Sequence, residues 1–254
     1  MASPRQKGFI RLENGSLGET TFKKTNGVHR AQEKKVQNPK KFKTAPEFER
    51  VRENAEAFGN GSISAKLVKL CVKRFIRWRP DLDRFHRLKT LSSKLIKLDS
   101  VSAPGKGKIT MENAKYLLGF EFNSKYSLRS FFNARFSTNV NRKTGEVQIN
   151  IPSFIPTDRI NVPKGTTHYK IVAAGSVIDF YDKKYVTKQY ESGNMLWDDV
   201  ATGDIHISLT VPPKSKLPIF IFLGLEFLEV TMGITSSVAM HSMDPLCIVD
   251  VVSL

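Results

Sequence analysis

Eight basic residues fall between positions 66 and 87: Lys66, Lys69, Lys73, Arg74, Arg77, Arg79, Arg84 and Arg87. Residues three and four apart are neighbours on a helix, so Lys66, Lys69, Lys73 and Arg77 form one row, flanked by Arg74 and Arg79. The chemistry of such a row is phosphate neutralisation. Each contact releases counterions from a nucleic acid, and arginine adds a planar fork that matches phosphate geometry. Upstream, Lys40, Lys41 and Lys43 add a second basic stretch. Trp78 and Phe85 lie among these cations, where rings can stack on unpaired bases, although their apolar spacing assigns them to the core.

Other constellations carry less. Gly105-Lys106-Gly107-Lys108 lacks the glycine spacing and the hydroxyl residue after lysine that a phosphate loop requires, and it reads as a flexible connector. The histidines at 29, 86, 168, 206 and 241 show no metal-ligand spacing with each other or with the cysteines. Ser237, His241 and Asp244 have the residue types of a nucleophilic triad, but they crowd one loop without the strand-turn-helix context that exposes a nucleophile. Asp81-x-Asp83 and Asp198-Asp199 read as a helix cap and a turn. The expectation is a non-enzymatic protein with no cofactor, no metal site and no small-molecule substrate.

The charge is unevenly spread. Up to Thr110 there are 26 Lys and Arg against 10 Asp and Glu, and the remaining residues carry 14 of each, so the net +16 belongs entirely to the first segment. An excess this large and this local speaks to partners rather than to fold, and nucleic acid is the first candidate. The 40% hydrophobic content, with 17 Phe, supports a real core. Cys71 and Cys247, the two cysteines, lie in separate apolar runs and read as buried free thiols. The first residues lack the apolar stretch of a secretory signal, and no run is long enough for a membrane helix. The expected location is therefore the cytoplasm or the inside of a virion.

The elements that must position these groups follow from periodicity. Extended stretches punctuated by Asn14-Gly15 and Asn26-Gly27 predict a short β-meander within residues 7–35. It holds too few apolar residues to stand alone in water. A basic linker containing Lys34, Lys35, Lys40, Lys41 and Lys43 follows, broken by Pro39. Pro46 then opens a helix with Phe48, Val51, Ala55 and Phe58 on its apolar face and Gly59 as its cap. Residues 62–99 predict a helical hairpin joined near Arg79-Pro80, with Asp81 capping the second helix. That helix puts Phe85, Leu88, Leu91, Leu95 and Leu98 inside and Arg84, Arg87, Lys94 and Lys97 outside.

Thr110 caps a short helix that Gly119 ends. About eight strands follow, the clearest being Ile205, Ile207, Leu209 and Val211 alternating with His206, Ser208 and Thr210. The fold class is thus α+β, in two domains: residues 1–110 as a basic β-meander plus helical hairpin, and residues 111–254 as an antiparallel β-sandwich.

Two stretches carry a resemblance. The first is Lys-Gly-Phe-Ile-Arg-Leu-Glu-Asn-Gly-Ser-Leu-Gly-Glu-Thr-Thr-Phe at residues 7–22, followed by Arg-Val-Arg-Glu-Asn at 50–54 and Phe58-Gly59. The second is Ile-Pro-Ser-Phe-Ile-Pro at 151–156, then Pro163-x-Gly165-x-x-His168-Tyr-Lys-Ile-Val-Ala-Ala-Gly175. Together they resemble an uncharacterised family of small basic proteins from Bacteroidota genomes and their phages. The resemblance brings no activity. It implies that the meander and the Arg-Glu-Asn helix are defined structure rather than a loose tail.

The expected function is a self-associating structural protein that binds nucleic acid, DNA or RNA, through the basic helical face, as in a virion or other nucleoprotein assembly. The alternative is an adaptor whose basic face docks an acidic protein.

Overall fold

The computed structural model describes residues 15–25, 27–33, 39–76, 81 and 83–253, and the chain forms two compact units, Met1–Arg50 and Val51–Leu254. The first unit holds a three-stranded antiparallel sheet of β1 (Gly15–Leu17), β2 (Thr20–Thr25) and β3 (Val28–Glu33) in sequential order. Leu17 pairs with Thr20, so the first hairpin turn is Gly18-Glu19, and Gly15 opens β1 instead of turning it. Thr25 pairs with Val28, so the second turn lies between them with Gly27 in it, while Asn26 is outside the described residues. Pro39, expected to break a linker, starts the short helix α1 (Pro39–Thr44), where a missing N–H costs nothing in the first turn.

The second unit is built on one large sheet. Helix α2 (Glu49–Cys71) leads into a short turn of helix, α3 (Lys73–Ile76), and α4 (Arg84–Ile96) follows. Gly59 does not end α2, which runs through it for 23 residues. The predicted face of Val51 and Phe58 is half exposed, and burial starts only at Asn60. Gly61 marks where α4 approaches, because a Cβ there would strike Ser93. The expected inward stripe of α4 holds for Leu88 and Leu95, but Leu98 lies past the helix end and is 59% exposed.

The connector after α4 is a packed strap, not a flexible one. Asp99 Oδ1 accepts the N–H groups of Val101 and Ser102, and its Oδ2 accepts that of Lys108 at 2.9 Å. Asn60 then bridges the strap to α2, donating to the Gly105 carbonyl at 3.1 Å and accepting from Lys108 Nζ at 2.8 Å. Its glycines are there for contact: a Cβ at Gly107 would stand 2.7 Å from the Ile96 carbonyl oxygen. Gly107→Ala is expected to cost about 1–3 kcal/mol of stability through forced backbone displacement. A urea denaturation midpoint equal to wild type would show that the strap yields freely.

Asn113 and Thr110 cap each other reciprocally ahead of a 3₁₀ turn at Ala114–Leu117. Helix α5 (Leu128–Phe131) precedes β4 (Ser137–Asn141) and β5 (Glu146–Ile151), and α6 (Pro156–Arg159) follows them. The remaining strands are β6 (His168–Asp179), β7 (Lys184–Glu191), β8 (Met195–Leu196), β9 (Ile205–Thr210), β10 (Ile219–Thr231), β11 (Ile234–Ser237) and β12 (Leu246–Val252). Six of them form one antiparallel sheet in the order β11-β10-β6-β7, with β12 also on β10 and β8 on β6. A three-stranded sheet, β4-β5-β9, packs against its face.

The two central strands explain the arrangement. Strands β6 and β10 are buried nearly end to end, so each must be covered on both sides. On one side Val172, Ala174, Ile178, Phe220 and Phe222 meet Val68, Cys71, Phe75, Leu88 and Leu95 of the helices. On the other, Tyr169, Ile171, Ile221, Leu223 and Phe227 meet Ile149, Ile151, Ile207 and Leu209 of the small sheet. Strands β5 and β9 alternate because only one of their faces is covered. The unit is a β-sandwich with a helical layer on its outer face, and the fold is α+β.

Candidate nucleic-acid interface

The helical layer carries the charge of the second unit. Residues 51–110 hold 14 Lys and Arg against 5 Asp and Glu, while the rest of that unit is balanced. Within α2, burial of Ala65, Leu67, Val68 and Cys71 turns Lys66 and Lys69 outward, and Lys73 at the start of α3 is exposed as well. The inner side of this element is held to the sheet. Gln189 of β7 donates to the Cys71 carbonyl, left open where the helix breaks, at 3.0 Å. The Cys71 thiol donates back to Leu67 O, and burial pushes its pKa up to about 11, so it stays a packed, protonated thiol. Lys69 Nζ stands 5.7 Å from the centre of the half-buried Phe85 ring. None of these three lysines forms an ion pair with a described acid.

The other predicted cations divide. Arg74 is exposed and pairs with Glu191 of β7 at 2.9 Å. Arg77 and Arg79, with Trp78, lie outside the described residues. Arg84 is 6% exposed, and its guanidinium donates to the carbonyls of Phe122 and Ile76. Arg87 donates to the Glu121 carbonyl at 2.9 Å and Asp81 Oδ2 at 2.8 Å, and lies over the Phe120 ring at 5.1 Å. Both arginines, expected on the outer face, are inward structural groups. The start of α4 abuts the irregular segment 120–124, whose buried carbonyls need donors, and these side chains supply them.

Asp81 organises this corner. One oxygen accepts the N–H groups of Asp83 and Arg84, capping α4, and the other accepts from Ser124 N–H and Arg87. Burial raises its pKa. The Arg87 hydrogen bond, the Ser124 N–H and the charges of Arg87 and Arg84 together outweigh that and hold the carboxyl below its ordinary range. The N-cap position of α4 is Asp83, not the expected Asp81, yet the Asp81 carboxylate takes the N–H groups of Asp83 and Arg84 from two residues upstream and is consumed in doing so. A cleft of about 440 Å³ lined by Asp81, Asp83, Asn123, Ser124, Lys125, Tyr126 and Ser242 lies here, but its Asp81 acid is already saturated.

In the first unit, the Lys40 side chain is not among those described, Lys41 pairs with Glu47 at 2.8 Å, and Lys43 is exposed. Strand order also assembles a group that the linear spacing hides. One ligand atom each from Glu226, His241 and Asp244 lies within 4.8 Å of the others, a set that could hold a divalent cation. Asp244 is fully buried, accepting the Phe227 N–H at 3.0 Å and bonding His241 Nδ1 at 2.7 Å. Asn123 donates to the main-chain oxygens of Ser242 and Asp244, so the group clasps the loop before β12 onto β10. No hydrogen bond joins Ser237 to His241.

No family model, curated protein or solved structure matches this chain.

Proposed function

We propose that this protein is a non-enzymatic, self-associating structural protein that binds nucleic acid through the outer face of α2 and α3. The observation that carries the reading is the exposed row of Lys66 and Lys69 on α2 and Lys73 at the start of α3, three cations that pair with no described acid. Their neighbours Arg74 and Arg87 are spent on internal pairs, so the free charge is concentrated where a phosphate backbone can reach it. Self-association is supported by the β10–β11 hairpin, whose tip projects Met232 at 97% and Ile234 at 73% exposure on an edge strand. Edge strands with apolar tips invite pairing with another chain. The setting proposed is a virion or another nucleoprotein assembly, where a chain that both self-associates and holds nucleic acid would act.

Titration of a nucleic acid with the full chain tests the binding, with salt raised from about 50 to 200 mM. A steep fall in affinity is expected, and a flat response overturns the reading. Light scattering at low salt is expected to report species larger than one chain, and a monodisperse monomer removes the assembly part.

A further inference from the structure

The β2–β3 ribbon of the first unit sets cation against cation. Its register places Lys23 opposite Arg30. Side chains directly opposite in an antiparallel pair stand about 5 Å apart, and like charges there repel. Alternation sorts the sheet into two faces. Ser16, Thr21, Lys23, Arg30 and Gln32 share one of them, with the Ser16 and Thr21 hydroxyls 3.1 Å apart. That face has no carboxylate and no aromatic ring among the described residues. Leu17, Thr20, Phe22, Lys24, His29, Ala31 and Glu33 share the other face, which carries both a carboxylate and a ring. Lys23 and Arg30 are both exposed and pair with no described acid.

We propose that this cationic face is a second nucleic-acid contact and that it takes duplex DNA, with the ribbon lying in a groove and Lys23 and Arg30 on the phosphates. The inference rests on the nucleic-acid reading above and extends it to a different element. A phosphate between the two side chains turns their repulsion into shared attraction. Single strands are held mainly by stacking, and this face has no ring to stack on. Lys23 and Arg30 stand on the β2–β3 pair past Phe22, the last described partner of β1, and the B-DNA major groove, about 12 Å wide, admits such a pair of strands about 4.8 Å apart. The major groove of A-form RNA is too deep and narrow for it.

The test measures binding of the full chain to a short duplex DNA, the same sequence as a single strand, and the same sequence as double-stranded RNA. Lys23→Ala/Arg30→Ala is compared with the charge-matched pair Lys164→Ala/Lys216→Ala, all four positions being exposed. The substitutions at 23 and 30 remove a repulsion, so folding is not expected to suffer, and circular dichroism checks this. The first pair is expected to flatten the salt dependence on duplex DNA by about 2 in log–log slope, near 0.9 for each phosphate contact. It should leave the other two nucleic acids unchanged, and the control pair should behave as wild type on all three. Equal losses on all three overturn the groove assignment. If the Lys23/Arg30 pair matches the control while charge reversal at Lys66, Lys69 and Lys73 still weakens binding, this inference falls and the helical face stands. Failure of the wild-type chain to bind any of the three overturns both.

Discussion

A chain carrying Lys66→Glu, Lys69→Glu and Lys73→Glu together is expected to lose most of its salt-sensitive affinity for nucleic acid while keeping its fold. Each phosphate contact contributes about 0.9 to the log–log salt slope, so three contribute about 2.7, or about 40-fold between 50 and 200 mM salt. Reversing the charge adds repulsion to that loss. The fold is expected to survive because all three side chains are exposed and bond to no described partner beyond the Lys69–Phe85 contact. Fluorescence anisotropy at several salt concentrations reads the slope. A variant with the wild-type slope would mean that phosphates meet some other surface. Retained binding with lost assembly would favour the adaptor alternative, in which this face docks an acidic protein.

Asp81→Ala is expected to be the most damaging single change at the helical corner. Its carboxylate takes four donors, two of them capping α4, and it neutralises Arg87. Removing one partner of a buried pair typically costs about 3–5 kcal/mol, and the one-third exposure of Arg87 places the loss near the lower end. Asp81→Asn keeps an acceptor for the cap and should lose less. The pH dependence has a definite sign. The folded-state pKa of Asp81 is depressed, so its contribution is complete above the unfolded value near 3.9 and drains as pH falls through the folded one. Asp99 is held low in the same sense: burial raises it, but the Lys108, Ser102 and Val101 N–H groups outweigh that. Urea denaturation from neutral pH downward should show wild type losing stability below about pH 4, with a shallower decline in Asp81→Ala. Parallel curves would show that Asp81 titrates alike in both states.

Strands β10 (Ile219–Thr231) and β12 (Leu246–Val252) are long apolar runs bounded by turn residues, a pattern legible in the sequence. Strand β6 runs unbroken through Gly175 and Ser176, which interrupt its apolar pattern in the sequence. In the sheet, the Ser176 hydroxyl meets Thr187 of β7, and a Cβ at Gly175 would rest against Val147 and Leu209, so both fit a continuous strand. The glycine at 59 looked like a cap because a helix exposed over its first half has no apolar stripe to carry the pattern through. The basic connector looked loose because polar and glycine-rich composition is shared by flexible loops and by straps that need close backbone approach.

Spacing alone was enough to identify an α+β chain with a cationic helical row, because periodicity and net charge are local properties of the residues themselves. Which cations remain free was settled only by the tertiary structure. Arg84 and Arg87 have the same outward-looking spacing as Lys69 and Lys73, yet they turn to carbonyls and a carboxylate, the carbonyls of Phe122 and Glu121 lying 38 and 34 residues along the chain. The same holds for Glu226, His241 and Asp244, which only the fold of the loop onto β10 brings within 4.8 Å. A charge is available to a partner only if nothing inside the protein needs it, and that need is created by backbone groups whose positions no short window of sequence contains.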